Sequence, residues 1–194
     1  MPTAHVLQTQ NLTHGPIQNL SFNWPTGVCW ICGDEGTGKT TLLRLLAGDV
    51  QPASGTLNAA EGGVFWVDLQ SPEHVASTVQ ACWDALRQRY PSWNYALLDD
   101  LAEELQMNPH REKQLHMLSN GSRRKVGVIA ALASGATVTL LDQPFVALDA
   151  VSIQTIKEFL REAAEHPSRA WIVADYETPH DLQLASVLNL DTPR

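Results

Sequence analysis

The sequence predicts an α/β domain with a mainly parallel sheet, an antiparallel β part at its N-terminus and a helical subdomain set into its middle. Three observations predict it. Apolar strand-like runs alternate with helically spaced runs in the last third of the chain. Short β-type runs separated only by turn residues fill the N-terminal part. Between them, residues 71–117 carry helical spacing and no strand pattern. Residues 1–70 and 118–194 are therefore read as the α/β core and 71–117 as the helical insertion, in one domain of 194 residues.

The elements follow in order. "LQTQNLTHGPIQNLSFNWPTGVCWIC" reads as short strands punctuated by Pro16 and by Pro25 to Gly27. A glycine-rich loop leads into a helix from Lys39 to about Ala47, ended by Gly48. "SGTLNAAEGGVFWVDLQ" holds two further strands, the second being Val64 to Val67. In the insertion, "PEHVASTVQACWDALRQRY", "DDLAEELQM" and "HREKQLHML" have helical spacing, with interruptions at Pro91 and Pro109. Then come a helix (Arg123 to Ala133), a buried strand (Thr137 to Leu141), a helix (Ser152 to Glu165) and strands at Ala170 to Ala174 and Val187 to Leu190.

Composition narrows the function classes. Hydrophobic residues make up 44% and charged residues 18%, which suits a globular core. The formal net charge is -8 and the basic residues are scattered apart from Arg123 to Lys125, so the stripe a nucleic-acid partner needs is missing. "MPTAHVLQTQ" lacks the basic-then-apolar pattern of a secretory leader. The uncharged run "VGVIAALASGATVTLL" is shorter than the roughly 20 residues of a membrane span. A soluble, cytoplasmic chain is expected. Cys29 and Cys32 spell C-x-x-C within an apolar strand, where residues three apart face opposite sides, so core thiols are expected rather than a metal or redox pair. Trp24, Trp30, Trp66 and Trp171 are expected in the core, as is Trp83, while Trp93 is open between core and an interface.

The chemistry starts in "GDEGTGKTT", which fits G-x-x-x-x-G-K-[ST] between an apolar strand and a helix. Gly33, Asp34, Glu35, Gly36, Thr37, Gly38, Lys39, Thr40 and Thr41 form this P-loop, whose backbone N–H groups and helix N-terminus suit phosphate. Lys39 would reach the β- and γ-phosphates and Thr40 would offer its hydroxyl to Mg²⁺. "TVTLLDQP" is an apolar strand ending in Asp142, the pattern of the carboxylate that helps hold that Mg²⁺.

Between these motifs, "LSNGSRRKV" from Leu118 resembles the LSGGQ signature of ATP-binding cassette (ABC) ATPases. Gln70 stands where the family has its Q-loop glutamine, and Ala147 to Asp149 resemble the D-loop. The resemblance covers nearly the whole chain. In particular, the chain resembles the compact stand-alone ATPase subunits of transporters, about the size of those in cytochrome c maturation haem export. The resemblance implies a P-loop NTPase core with a helical subdomain after the Q-loop, and a head-to-tail dimer with two ATP molecules between cassettes. The second cassette would be another copy or a different chain. A separate membrane-spanning subunit would be driven by it, placing the protein on the cytoplasmic face of a membrane. Ser119 and Gly121 would contact the γ-phosphate held by the other cassette; Ser119 could equally N-cap its own helix. Gln70 would touch Mg²⁺ or the attacking water, and His14 would fall near the adenine.

Three features depart from the family. Gln143 replaces the catalytic glutamate; an amide cannot take a proton, though it still orients water. Asp175 follows the strand where the switch histidine belongs. His180 is the minority alternative, because only six residues separate it from Val187, against eleven from Asp175, and a helix is expected before the last strand. The signature carries Asn120 and Ser122 for glycine and glutamine. Together these point to a divergent member rather than to one replaced residue. Two readings follow: an Mg-ATP-binding ATPase subunit of slow turnover, or a degenerate cassette serving as an ATP-dependent dimerisation or regulatory module. A soluble ABC protein of DNA repair or translation ranks last, since neither a long coiled-coil insertion nor a second cassette is present.

Overall fold

The structure, a computed structural model, describes residues 5–59, 61–69 and 71–191. Two compact units emerge, one built from residues 1–66, 137–143 and 158–194, the other from residues 67–136 and 144–157.

The first unit holds both sheets. β1 (His5–His14) and β2 (Ile17–Pro25) form a hairpin, and β4 (Ser54–Ala59) pairs with the other edge of β1, giving an antiparallel sheet of order β2-β1-β4. The second sheet is parallel throughout. Its order is β5-β6-β7-β3-β8, from β3 (Gly27–Cys32), β5 (Val64–Phe65), β6 (Val138–Asp142), β7 (Ala170–Ala174) and β8 (Ser186–Asn189). Every residue of β3 and β7 is buried, which is why "GVCWIC" and "AWIVA" read as continuous apolar runs rather than alternating ones. Helix α1 (Lys39–Leu46) buries Leu42, Leu43, Leu45 and Leu46 into one core with Leu7, Leu12, Trp24, Ile31, Leu140 and Ile172.

That topology positions the site. Ile31, Asp142 and Ala174 lie at matching register on three adjacent parallel strands, so the segments after β3, β6 and β7 all leave from the same edge of the sheet. Loops at the carboxyl ends of parallel strands are where α/β folds bind ligands.

The second unit is helical: α2 (Pro72–Val75), α3 (Val79–Arg87), α4 (Tyr95–Glu104), α5 (Asn120–Ala133) and the start of α6 (Ala150–Ala163). Thr78 and Asn94 cap α3 and α4 by accepting from the N–H groups of Ala81 and Leu97. Val79, Cys82, Trp83 and Leu86 form the buried stripe of α3, and the Trp83 indole donates to the Val126 carbonyl on α5 at 3.1 Å. Arg111 stacks over the Trp83 ring and bonds Gln80 and Asp99, which ties the end of the insertion to α3 and α4.

Several expectations need correction. "HREKQLHML" forms no α-helix; it contributes single 3-10 turns at Asn108–His110 and Leu115–Met117, because its segment is held by backbone bonds to neighbours such as Lys113 to Val79 and Leu115 to Ser77. The stretch after Ser71 breaks into two helices at Ser77–Thr78, where Thr78 starts a new cap. Helix α5 begins at Asn120, not Arg123, since Ser119 caps it. Strand β5 spans only Val64–Phe65, and α6 starts at Ala150. Irregular chain, without a helix, joins β7 to β8. Trp24, Trp30, Trp83 and Trp171 are core residues, Trp93 is 8% exposed and Trp66 is half-buried against the core. All three cysteines are buried free thiols. Among the described residues no helix is long and apolar enough to cross a membrane.

Candidate functional site

The glycine loop opens directly from β3. Gly33, Gly36 and Gly38 have φ values of 152°, 80° and 101°, a run of left-handed backbone that side chains resist. Gly38 is the N-cap of α1 and supplies no side-chain cap, so the first N–H groups of the helix face the loop without a side-chain acceptor. A Cβ on Gly38 would stand 2.7 Å from Pro16 Cγ. The tip of the β1–β2 hairpin is thus pressed against the loop, with half-buried His14 at the end of β1 two residues before that contact.

Lys39 is 5% exposed, and its Nζ donates to the carbonyls of Gly33 at 2.5 Å and Asp34 at 2.8 Å. Thr37 Oγ1 donates to the same Asp34 carbonyl at 2.9 Å. Asp34 and Glu35 are exposed, and Thr41 is half-buried in the first turn of α1. The loop is also anchored from the far end of the chain: the Asp34 N–H donates to Asp191 Oδ1 at 2.8 Å, just beyond β8.

Thr40 Oγ1 donates to Asp142 Oδ2 at 2.6 Å, a short charge-assisted bond between the first turn of α1 and the end of β6. A hydroxyl and a carboxylate oxygen held this close are hard donors of the kind Mg²⁺ takes, alongside water and phosphate oxygens. The donor set therefore fits that ion. Gln143, next in sequence, has φ 45°, an uncommon backbone for a non-glycine residue, and its N–H donates to the Ala174 carbonyl at 2.8 Å. The turn after β6 is thereby pinned to β7.

Asp175 follows β7 directly, its N–H donating to the Ile31 carbonyl at 3.0 Å and its Oδ1 accepting from the Tyr176 N–H at 2.8 Å. His180 is exposed, farther along the irregular segment. The expected helix before β8 does not exist, so spacing does not separate the two residues. What favours Asp175 is its place at the strand end. Gln70 lies outside the described residues.

Ser119 and Gly121 belong to the helical unit. Ser119 Oγ accepts from the Ser122 N–H at 3.1 Å and donates to Ser122 Oγ at 3.0 Å, so it does cap α5. A Cβ on Gly121 would lie 2.3 Å from the Ala147 carbonyl oxygen, so glycine is required where α5 meets the segment before α6. Ala147 itself has φ 62°. Asp149 completes this junction. It accepts from Lys125 Nζ at 2.9 Å and from the N–H and hydroxyl of Ser152, both at 2.8 Å. Lys125, with the Ser152 groups, holds the Asp149 carboxyl far below the usual carboxylate range.

The structure therefore gathers the residues from Gly33 to Thr41, Asp142, Gln143 and Asp175 in one unit, with the hairpin of His14 touching the loop. Asp191, Lys125 and Tyr176 make contacts that the sequence motifs do not assign. Asp191 and Lys125 act through contacts distant in sequence, invisible to local spacing. Tyr176 was within reach: it stands beside Asp175 at the exit of an apolar strand, and its ring centroid lies 4.4 Å from Lys39 Nζ.

Comparison with known proteins agrees with this architecture. Residues 17–146 match the ABC transporter family model. Among curated relatives, "ABC transporter I family member 10" of Arabidopsis thaliana is 29% identical over 80% of this chain, which spans 61% of that protein. The "Taurine import ATP-binding protein TauB" of Pseudomonas savastanoi is 29% identical over 98% of this chain and 73% of its own length. A candidate ABC transporter ATP-binding protein of Pyrococcus furiosus superposes with a TM-score of 0.73 at 22% identity, covering 95% of this chain and 97% of that one, a likeness of fold.

Proposed function

This chain belongs to the ABC transporter family, and we propose that it is an ATP-binding subunit that takes up Mg-ATP at the glycine loop and hydrolyses it slowly. The observation that carries this reading is the meeting of the glycine loop, buried Lys39 and the Thr40–Asp142 pair at one edge of the parallel sheet. Backbone N–H groups of the loop and of α1 bind phosphate oxygens, and Lys39 exchanges its carbonyl partners for the β- and γ-phosphates. Thr40 and Asp142 hold the Mg²⁺, which when bound neutralises charge on the phosphates. Gln143 orients the attacking water without taking its proton, which sets turnover low.

The whole chain acts as one cassette, residues 1–70 and 118–194 its core and 71–117 its helical subdomain. The signature around Ser119 and Gly121 serves the nucleotide of a second cassette, identical or not, and Gln70 touches the Mg²⁺ or the attacking water and senses the partner. His14 lies on the adenine side and Asp175 on the γ-phosphate side. The driven membrane-spanning subunit is a separate chain, which places this one at the cytoplasmic face. A second reading, a hydrolysis-deficient dimerisation or regulatory module, is favoured by Gln143 together with Asp175, a carboxylate where anionic phosphate would arrive. Calorimetric titration of the unaltered chain and of Lys39→Ala with Mg-ATP tests the common ground of both readings. The unaltered chain binds and the variant does not; equal behaviour of the two would refute the nucleotide site.

A further inference from the structure

We infer that Tyr176 is a positioning residue of the phosphate site, its ring holding the Lys39 ammonium at the loop while phosphate replaces that ammonium's carbonyl partners. The inference rests on the role proposed above for Lys39. Lys39 Nζ lies 4.4 Å from the Tyr176 ring centroid, within the range of attraction between a cation and an aromatic face. Lys39 is only 5% exposed, so its charge is largely withdrawn from water, the condition under which such attraction is strongest.

Tyr176 is held over the loop by its own backbone. Its carbonyl accepts from the Gly33 N–H at 3.4 Å, and its N–H donates to Asp175 Oδ1 at 2.8 Å. Yet the residue is 45% exposed, so core burial does not account for its place. The Gly33 and Asp34 carbonyls that accept from Lys39 are neutral, and charged phosphate oxygens are stronger acceptors than either. Phosphate therefore takes those hydrogen bonds. The ring attracts the ammonium through its quadrupole rather than through a lone pair, so it keeps its hold during the exchange. It fixes where the ammonium sits before and after nucleotide arrives.

The test is a series at one position, Tyr176→Phe, Tyr176→Trp and Tyr176→Leu, titrated with Mg-ATP and Mg-ADP and melted thermally beside the unaltered chain and Lys39→Ala. Phenylalanine keeps affinity within about twofold, tryptophan binds as tightly or tighter, and leucine, apolar but smaller and without a π-face, loses about tenfold. Melting temperatures stay together, because the position is half exposed. Leucine binding as tightly as phenylalanine, or tryptophan and leucine weakening alike, would overturn the inference. If instead the unaltered chain binds no better than Lys39→Ala, the nucleotide reading itself fails and this inference falls with it. Loss of binding in Lys39→Ala with an unchanged leucine variant sinks the Tyr176 role alone.

Discussion

Thr40 Oγ1 and Asp142 Oδ2 are 2.6 Å apart although 102 residues separate them in sequence. This bond joins the first turn of α1 to the end of β6, and under the proposed function each partner would offer one oxygen to Mg²⁺. Thr40→Val or Asp142→Asn should weaken Mg-ATP binding by about tenfold or more, the scale of a hydrogen bond to a charged group. Binding of ATP in the presence of a chelator should change far less. Paired titrations with and without Mg²⁺ check this, and equal losses in both would contradict the assignment of the ion to this pair.

Much of this site was legible because its signals are local. The loop from Gly33 to Thr41 needs glycines and a lysine at fixed spacing, and Asp142 ends an apolar strand; both stand where those rules put them. Fully buried β3 and β7 announced themselves as unbroken apolar runs. What could not be read were choices made by tertiary contact. Helical spacing in "HREKQLHML" lost to backbone bonds with Ser77 and Val79, and the spacing argument at Asp175 presumed a helix that the chain never forms. The pairing of β8 beside β3, which brings Asp191 to the loop, has no local signature.

Gly121 is under steric obligation within its own chain. A Cβ at this position would meet the Ala147 carbonyl oxygen at 2.3 Å, so Gly121→Ala forces the backbone of α5 away from the segment that follows Pro144. The expected loss is about 1–3 kcal/mol of stability, the usual range for overpacking. Urea unfolding measures it. A variant as stable as the parent would show that the junction yields freely.

Lys125 and Asp149 form a junction sensitive to acid. Because the Asp149 carboxyl is held low, its contribution is complete above the ordinary carboxylate pKa of about 3.9 and is lost as pH falls below it. Lys125→Met removes the main cause of the depression. The Asp149 titration followed by NMR should then move to higher pH, and the acid limb of unfolding should move with it. An unmoved titration would mean that Ser152 alone sets it.

The cysteines should behave as core. Burial raises the Cys29 and Cys82 thiols from 9.0 to about 11, and burial followed by Asp191 raises Cys32. The stability this reflects is whole below pH 9 and is lost as pH rises toward 11, since the unfolded thiols ionise first. At about pH 8, alkylation should be slow in the native chain and rapid in urea. Fast native labelling at any of the three would place that thiol outside the core.

Whether Gln143 limits turnover is read from steady-state Mg-ATP hydrolysis. The comparison is the unaltered chain beside Gln143→Glu, with Lys39→Ala as the blank. Slow turnover is expected in the unaltered chain and a clear rise when the carboxylate is restored, because a carboxylate, unlike an amide, takes the proton of the attacking water. If neither protein exceeds the blank while both bind ATP, the slow-ATPase reading is contradicted and the chain is a nucleotide-binding module.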